Sequence, residues 1–135
     1  MSKYRTPSTK TKYYIPKEDY LTAIHYSLRY PLWLAEVNEV ADTSAAIRYD
    51  KDKVQTSGDN DPTFKAALKI SKINERIKLI DDIISLVTSD NGYYLRLGVC
   101  YGLTFDQLKS RGMAYERDAY YLMRRKYYYE LSLVI

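Results

Sequence analysis

The most constraining feature of this sequence is a run of six apolar residues near its middle, spaced alternately by three and four positions. This spacing places the side chains on one stripe of an α-helix. Asp61 and Pro62 supply an N-cap and a first-turn proline before the run, and Ser89 to Gly92 end it. The sequence therefore predicts one long helix from about Asp61 to about Thr88. The apolar seam of this helix consists of Ile70, Ile73, Ile77, Ile80, Ile84 and Val87.

Two arrangements would bury this seam. It can form the spine of a monomeric bundle, with the first helix of the chain as its partner, or it can form the interface of a homodimer, as in a coiled coil. A chain of 135 residues is long enough for one compact domain and short for two.

Two further helices are predicted upstream of the seam. Ile15 and Pro16 begin the first one, and Glu18 and Asp19 suit the positive end of its dipole. This helix should end before Pro31, because the proline ring disfavours helical geometry in the preceding residue. A short second helix should then run from Leu32 to about Val40, burying Trp33, Leu34 and Val37.

An acidic loop is predicted from residue 42 to residue 60. Asp50, Asp52 and Asp61 invite comparison with a calcium-binding loop, but Gln55 stands where that motif needs glycine. Asp61 also stands where the motif needs glutamate. We therefore predict no calcium site, and a loop of this length is either functional or mobile.

Charge is distributed unevenly along the chain. Residues 1–17 hold five basic residues and no acidic one, and residues 18–60 hold four basic and eight acidic residues. Residues 91–135 hold seven basic and four acidic residues. Both ends would therefore approach a polyanion. Residues 1–12 are predicted to be a basic flexible arm, which either enters a DNA minor groove or is a solvated tail.

The C-terminal region, residues 91–135, has the pattern of a helix-turn-helix. Gly102 can end a first short helix, and Thr104 is a good N-cap for a second one over Phe105 to Ser110. Gly112 supplies another turn. The helix predicted after it, Tyr115 to Leu131, contains no glycine or proline and is long enough to lie across a DNA groove.

One face of this last helix is expected to contact DNA, because arginines and tyrosines recur there at helical spacing. Ala119, Leu122 and Met123 fall roughly opposite and are expected to pack. A merely solvated charged face is the alternative. Lys126 lies more toward the packing side. The predicted DNA-contacting residues, including two that would anchor the preceding helix, are Thr104, Lys109, Arg117, Tyr121, Arg124, Arg125 and Tyr128.

These C-terminal residues also carry a family resemblance. The pattern Gly102 to Phe105, Leu108, Gly112, Arg117, Asp118, Tyr120, Tyr121 and Arg124 to Tyr129 resembles the C-terminal part of ArpU/RinA-type transcription regulators of phages and prophages. Ile47 to Ser57 is similar to a stretch of related prophage proteins. The resemblance implies a C-terminal half like the last helix-turn-helix of sigma factors, and a role in control of phage late genes.

Catalytic patterns are absent from the sequence. His25 and Cys100 are the only residues of their types, and neither has a neighbour that would make a nucleophile and base pair. There is no Gly-rich phosphate loop, membrane span or signal peptide. We therefore expect no enzyme, no cofactor and no metal, and we expect the protein in the cytoplasm of the host cell.

The sequence as a whole predicts an all-α fold, a small helical bundle with a long central helix and a C-terminal helix-turn-helix. Residues 13–90 would form the scaffold. The expected function is sequence-specific binding of double-stranded DNA in transcription regulation, with a host protein such as RNA polymerase as a further partner. Two alternatives remain open: a phage inhibitor or adaptor that binds a host polymerase or nuclease, and an assembly protein built on the isoleucine seam.

Overall fold

The computed structural model describes residues 12–47 and 62–135, and of residues 42–47 only the backbone. The described residues contain no strand, which confirms the predicted all-α class. The helices are α1 (Lys17–Leu28), α2 (Tyr30–Ile47), α3 (Pro62–Val87), α4 (Tyr93–Cys100), α5 (Phe105–Ser110) and α6 (Arg117–Ser132).

Contacts group these helices into two compact units. The described part of the first unit comprises residues 12–30 and 80–135, and that of the second comprises residues 31–47 and 62–79. Helix α3 contributes residues to both units. The predicted scaffold, residues 13–90, is thus divided between them.

Helices α1 and α2 follow each other almost without interruption. α1 begins after Pro16, as predicted, and the chain enters α2 at Tyr30. Pro31 lies in the first turn of α2, where the missing N–H of proline breaks no helical hydrogen bond. Pro31 therefore lies where α1 has ended and α2 begins.

Helix α2 is longer than predicted and reaches Ile47 instead of about Val40. Residues 41–47 contain three alanines and no glycine or proline, so no strong helix breaker ends the helix earlier. The prediction of a loop starting at residue 42 was therefore wrong. Residues 48–61, with the rest of the predicted acidic loop and the rejected calcium motif, lie outside the described residues.

Helix α3 confirms the long helix predicted from the seam. Ile73, Ile80 and Ile84 are 2 %, 0 % and 0 % exposed, so three members of the seam are enclosed by the chain itself. The remaining members, Ile70, Ile77 and Val87, are half-buried.

The first unit is a small helical bundle in which α1 packs against α6 with an aromatic core. Ser27 and Tyr127 share a buried hydrogen bond of 2.7 Å, and the rings of Tyr20 and Tyr128 meet edge to face with centroids 5.4 Å apart. Edge-to-face pairs of this kind add roughly 1 kcal/mol beyond the area they bury. Several tyrosines therefore form the core of this unit.

A polar cluster joins α3, α4 and the start of α2 within the first unit. The Tyr30 hydroxyl and Arg96 Nη2 each donate to Asp81 Oδ1 at 2.9 Å. Burial, followed by the hydrogen bond to Asp81, raises the pKa of Tyr30 to about 12. Burial alone would lower the pKa of Arg96, but Asp81 and Tyr30 outweigh it, so the guanidinium stays charged.

The second unit is held by Trp33 and Ile73. Trp33 is buried as predicted, with the Arg76 guanidinium 5.6 Å from its ring centroid, whereas Leu34 and Val37 are half-buried. The ion pair of Lys69 with Glu36, at 4.0 Å, joins two well-exposed side chains and contributes little to stability.

Candidate nucleic-acid interface

The candidate site is built from α4, α5 and α6. Its first turn follows Gly102, which adopts a φ of 73° as predicted. Thr104 then caps α5: its Oγ1 accepts from the N–H of Gln107 at 3.2 Å, and its own N–H donates to Gln107 Oε1 at 2.8 Å. This reciprocal capping box satisfies two N–H groups that the helix itself leaves unpaired. Phe105 and Leu108, both buried, fasten the short helix to its neighbours.

The turn from α5 to α6 is closed by a left-handed residue. Gly112 has a φ of 101°. Its N–H donates to the carbonyl oxygen of Lys109 at 3.0 Å, and the N–H of Met113 donates to the carbonyl oxygen of Leu108 at 3.1 Å. This bond pair is the Schellman arrangement, which needs glycine at the left-handed position. The buried side chains of Met113 and Leu108 complete it. The end of α5 is therefore closed by backbone hydrogen bonds at Gly112 and Met113.

Helix α6 begins at Arg117, two residues later than predicted. Tyr115 lies in the turn instead, where its hydroxyl donates to Asp90 Oδ2 at 2.7 Å. This hydrogen bond, more than burial, raises the pKa of Tyr115. It connects the turns before α4 and before α6 across 25 positions of sequence, so no local pattern could have revealed it.

The packing face of α6 differs from the prediction. Ala119 is exposed and Leu122 is 40 % exposed, although both were expected to pack. Of the three residues expected to pack, Met123 alone is buried. The reason is that large aromatic rings bury more apolar area than the aliphatic side chains of this helix. The buried residues of α6 are Tyr120, Met123, Tyr127, Tyr128 and Leu131.

Tyr128 is consequently a core residue and not a DNA contact. Its side chain is 3 % exposed and packs on Tyr20, and burial raises its pKa above the usual range of tyrosine. Arg124 lies 5.7 Å from the ring centroids of both Tyr121 and Tyr128. Burial alone would lower the pKa of Arg124, but nearby tyrosine hydroxyls outweigh this and keep it charged. Arg124 is half-buried, and its guanidinium packs against these two rings.

Arg117 is the most accessible of the predicted arginines. Its guanidinium stacks 4.6 Å from the ring centroid of Phe105 and approaches Asp106 at 3.5 Å, and 61 % of its side chain is exposed. Tyr121 is half-buried beside Phe105, with ring centroids 6.1 Å apart. The first turn of α6 thus presents Arg117 over an aromatic platform.

The two predicted anchors on α5 have structural roles already. Lys109 Nζ donates to the carbonyl of Met113 at 3.2 Å and lies 6.0 Å from the Phe105 ring centroid, and Thr104 is occupied by the cap. Arg125 is half-buried and pairs with no carboxylate among the residues that the structure describes. Of the predicted cations, Arg125 is therefore the one that neither an ion pair nor a ring contact engages among the described residues.

The charge around the first turn of α6 is mixed. Lys109, Arg111 and Arg117 are exposed there, and so are Asp106, Glu116 and Asp118. A uniform positive field is absent from this turn, so contacts would depend on the placement of individual side chains.

Other kinds of site find no support among the described residues. No group of three histidine, cysteine, aspartate or glutamate side chains is placed to hold a metal ion there. Cys100 is 1 % exposed, and burial raises the pKa of its thiol to about 12, so the reactive thiolate is disfavoured. None of the described helices combines the length and the hydrophobicity that crossing a membrane requires.

Comparisons with protein-family models, with curated protein sequences and with solved structures find no match to this chain.

Proposed function

We propose that this chain is a DNA-binding transcriptional regulator that uses α4, α5 and α6 as a helix-turn-helix. The observation that carries the proposal is the pair of closed turns around α5, the capping box at Thr104 and the Schellman turn at Gly112. They hold α5 and α6 as two connected helices with Arg117 exposed at the start of the second. Recognition helices of this class contact base edges with their N-terminal residues, which is where Arg117 lies.

Individual residues take distinct roles in this proposal. Arg117 is the candidate for bidentate contact with guanine, and its guanidinium lies 4.6 Å from the centroid of the Phe105 ring. Arg125 contacts phosphate farther along α6. Tyr121 packs on sugars or thymine methyl groups. Thr104 and Lys109 stabilise α5 and contact the DNA backbone beside this helix. Arg124 packs against the ring of Tyr121 and helps to position it.

The biological setting rests on sequence resemblance alone. The likeness of residues 102–129 to ArpU/RinA-type regulators supports a phage or prophage origin, control of late genes, and action in the cytoplasm of the host cell. RNA polymerase of the host would then be a second partner, and a homodimer would read a two-fold symmetric site.

The test is fluorescence anisotropy of the whole chain on phage promoter fragments and on random duplex at several salt concentrations. We expect a preference of about a thousandfold for one fragment and a steep salt dependence. Arg117→Gln should reduce this preference, and Arg125→Gln should weaken binding to all duplexes and lower the salt slope by about one phosphate contact.

The matched control is Lys65→Gln, which removes one positive charge from an exposed position of α3. It should leave the sequence preference unchanged. Equal and weak binding of the unmodified chain to every duplex would contradict the proposal.

A second function, an inhibitor or adaptor that binds a host protein, is favoured by a different observation. Tyr93 on α4 and Tyr101, which follows that helix, are 49 % and 45 % exposed, and acidic residues stand beside Arg117. Exposed tyrosines are frequent anchors of protein interfaces. This function predicts a stable complex with a host polymerase or nuclease that Tyr101→Ala weakens, while duplex binding is absent.

A further inference from the structure

A cluster formed by the segment before α1 and the second half of α6 gathers positive charge around one ring. Tyr13 lies just before α1, and its ring meets the ring of Tyr129 edge to face with centroids 5.6 Å apart. Lys126 Nζ lies 5.8 Å from the Tyr13 ring centroid, and Lys12 Nζ lies 5.6 Å from the same centroid. These four residues, Lys12, Tyr13, Lys126 and Tyr129, form what we call the Tyr13 cluster.

The two ammonium groups of this cluster have no acidic partner in the part of the chain that the structure describes. Neither Lys12 nor Lys126 pairs with a carboxylate in residues 12–47 and 62–135. Each lies within cation–π range of Tyr13, and this attraction is worth about 1 kcal/mol or less at an exposed site. Two like charges near one ring repel each other, so an anion that binds close to both would relieve the repulsion.

The position of the cluster indicates which anion this is. Lys126 directly follows Arg125 on α6, the helix proposed to enter the groove. The chain reaches Lys12 from residues 1–11, which contain Lys3, Arg5 and Lys10 and no acidic residue. Lysine ammonium groups act as point charges toward phosphate and carry no base specificity.

We propose that the Tyr13 cluster is a binding site for a phosphodiester group of the DNA backbone, in which Lys12 and Lys126 bind the phosphate and Tyr13 positions both. This inference rests on the proposed DNA-binding function and adds a contact away from the first turn of α6. Its consequence is that the N-terminal segment and α6 engage the same duplex. Sequence preference would arise elsewhere, at the start of α6.

The experiment compares the whole chain with the double variant Lys12→Gln, Lys126→Gln on a random 20-base-pair duplex, by anisotropy at several salt concentrations. If both lysines contact this phosphate, the slope of log affinity against log salt should fall by about 0.9, the contribution of one phosphate contact on duplex DNA. The preference for a promoter fragment should not change. Lys65→Gln with Lys72→Gln on α3 removes the same charge and should change the slope by much less.

Tyr13 has its own pair of variants. Tyr13→Ala should lower the slope, because the lysines lose the ring that positions them, whereas Tyr13→Phe retains the ring and should retain the slope. Thermal denaturation of each variant shows whether the fold is intact.

The outcomes separate the two proposals. If the chain binds duplex and the cluster variants behave like the α3 control, the Tyr13 site is wrong and the proposed function stands. If the unmodified chain binds no duplex, both fail. If the cluster variants weaken binding to polyglutamate but not to duplex, the site belongs to an acidic protein partner and the phosphate assignment is overturned.

Discussion

At Gly98, a single added methyl group would collide with the hydroxyl of Tyr120 and lie within 3.4 Å of a methyl group of Leu108. Gly98 sits inside α4, where glycine is otherwise unfavourable by about 1 kcal/mol relative to alanine. The residue therefore allows α4 and α6 to approach closely. Helix propensity alone would predict that replacing Gly98 by alanine stabilises the protein, which is the opposite of what this contact predicts.

We predict that Gly98→Ala destabilises the protein by roughly 1 to 3 kcal/mol, as overpacking of a rigid core does. Urea denaturation followed by circular dichroism would measure the change. Tyr120→Phe removes the hydroxyl that the new methyl meets, so the double variant should recover part of the loss. A double variant whose losses simply add would exclude this contact as the cause.

The buried tyrosines also make stability depend on alkaline pH. Burial is the main cause that raises the pKa of Tyr120 from 10.0 to about 12. Because the folded-state pKa lies above the unfolded one, the stabilisation is complete below pH 10 and is lost as the pH rises toward 12. Two pKa units correspond to roughly 3 kcal/mol at most.

We therefore expect the urea midpoint to fall steeply between pH 10 and pH 12. Tyr120→Phe should make this decrease of the urea midpoint smaller, because one buried tyrosine no longer ionises. The other buried tyrosines should still contribute to the decrease. The matched control is Tyr93→Phe, since Tyr93 is half exposed. A midpoint that stays constant through this range would contradict the burial of these hydroxyls.

Among the elements, α5 depends most on its ends. It is six residues long, too short to be stable by its own hydrogen bonds. The capping box at one end and the Schellman turn at the other satisfy groups that a free helix would leave to water. Both ends of α5 were predicted from Thr104 and Gly112. The hydrogen bond from the Thr104 N–H to the Gln107 side chain was not predicted.

Thr104→Ala should lower the free energy of unfolding by about 1 kcal/mol, as loss of an N-cap does. Thr104→Ser retains the hydroxyl acceptor and should lower it by less. Hydrogen exchange of the Gln107 amide gives the local measurement, since its N–H loses its acceptor in the alanine variant alone. Equal exchange in both variants would show that the cap does not hold this end of α5.

For the molecule as a whole, the seam of α3 bears on the oligomeric arrangement. Ile73, Ile80 and Ile84 are enclosed by the chain itself, which leaves a second copy only the half-buried members of the seam. The bundle arrangement therefore explains the burial of these three isoleucines without a partner. An assembly protein built on this seam would have to use Ile70, Ile77 and Val87.

Ile80→Ala should destabilise the first unit by roughly 2 to 5 kcal/mol, because it leaves a cavity in a fully buried position. Size-exclusion chromatography should show the same elution volume as for the unmodified chain, because Ile80 is enclosed by its own chain. Ile77→Asp provides the opposite test. A change of elution volume in that variant would support a dimer or larger assembly through the seam.

Local features of the sequence determined much of this protein. The spacing of the isoleucines, the glycines at 92, 102 and 112, and the prolines at 16, 31 and 62 predicted where most helices begin and end, because these depend on backbone geometry within a few residues. Tertiary structure alone decided which face of α6 is buried. Tyrosine has both an apolar ring and a polar hydroxyl, so its pattern along a helix is compatible with either burial or exposure. Contacts with Tyr20 and Ser27, about 100 positions away, placed Tyr127 and Tyr128 in the core and left Arg117 and Leu122 outside.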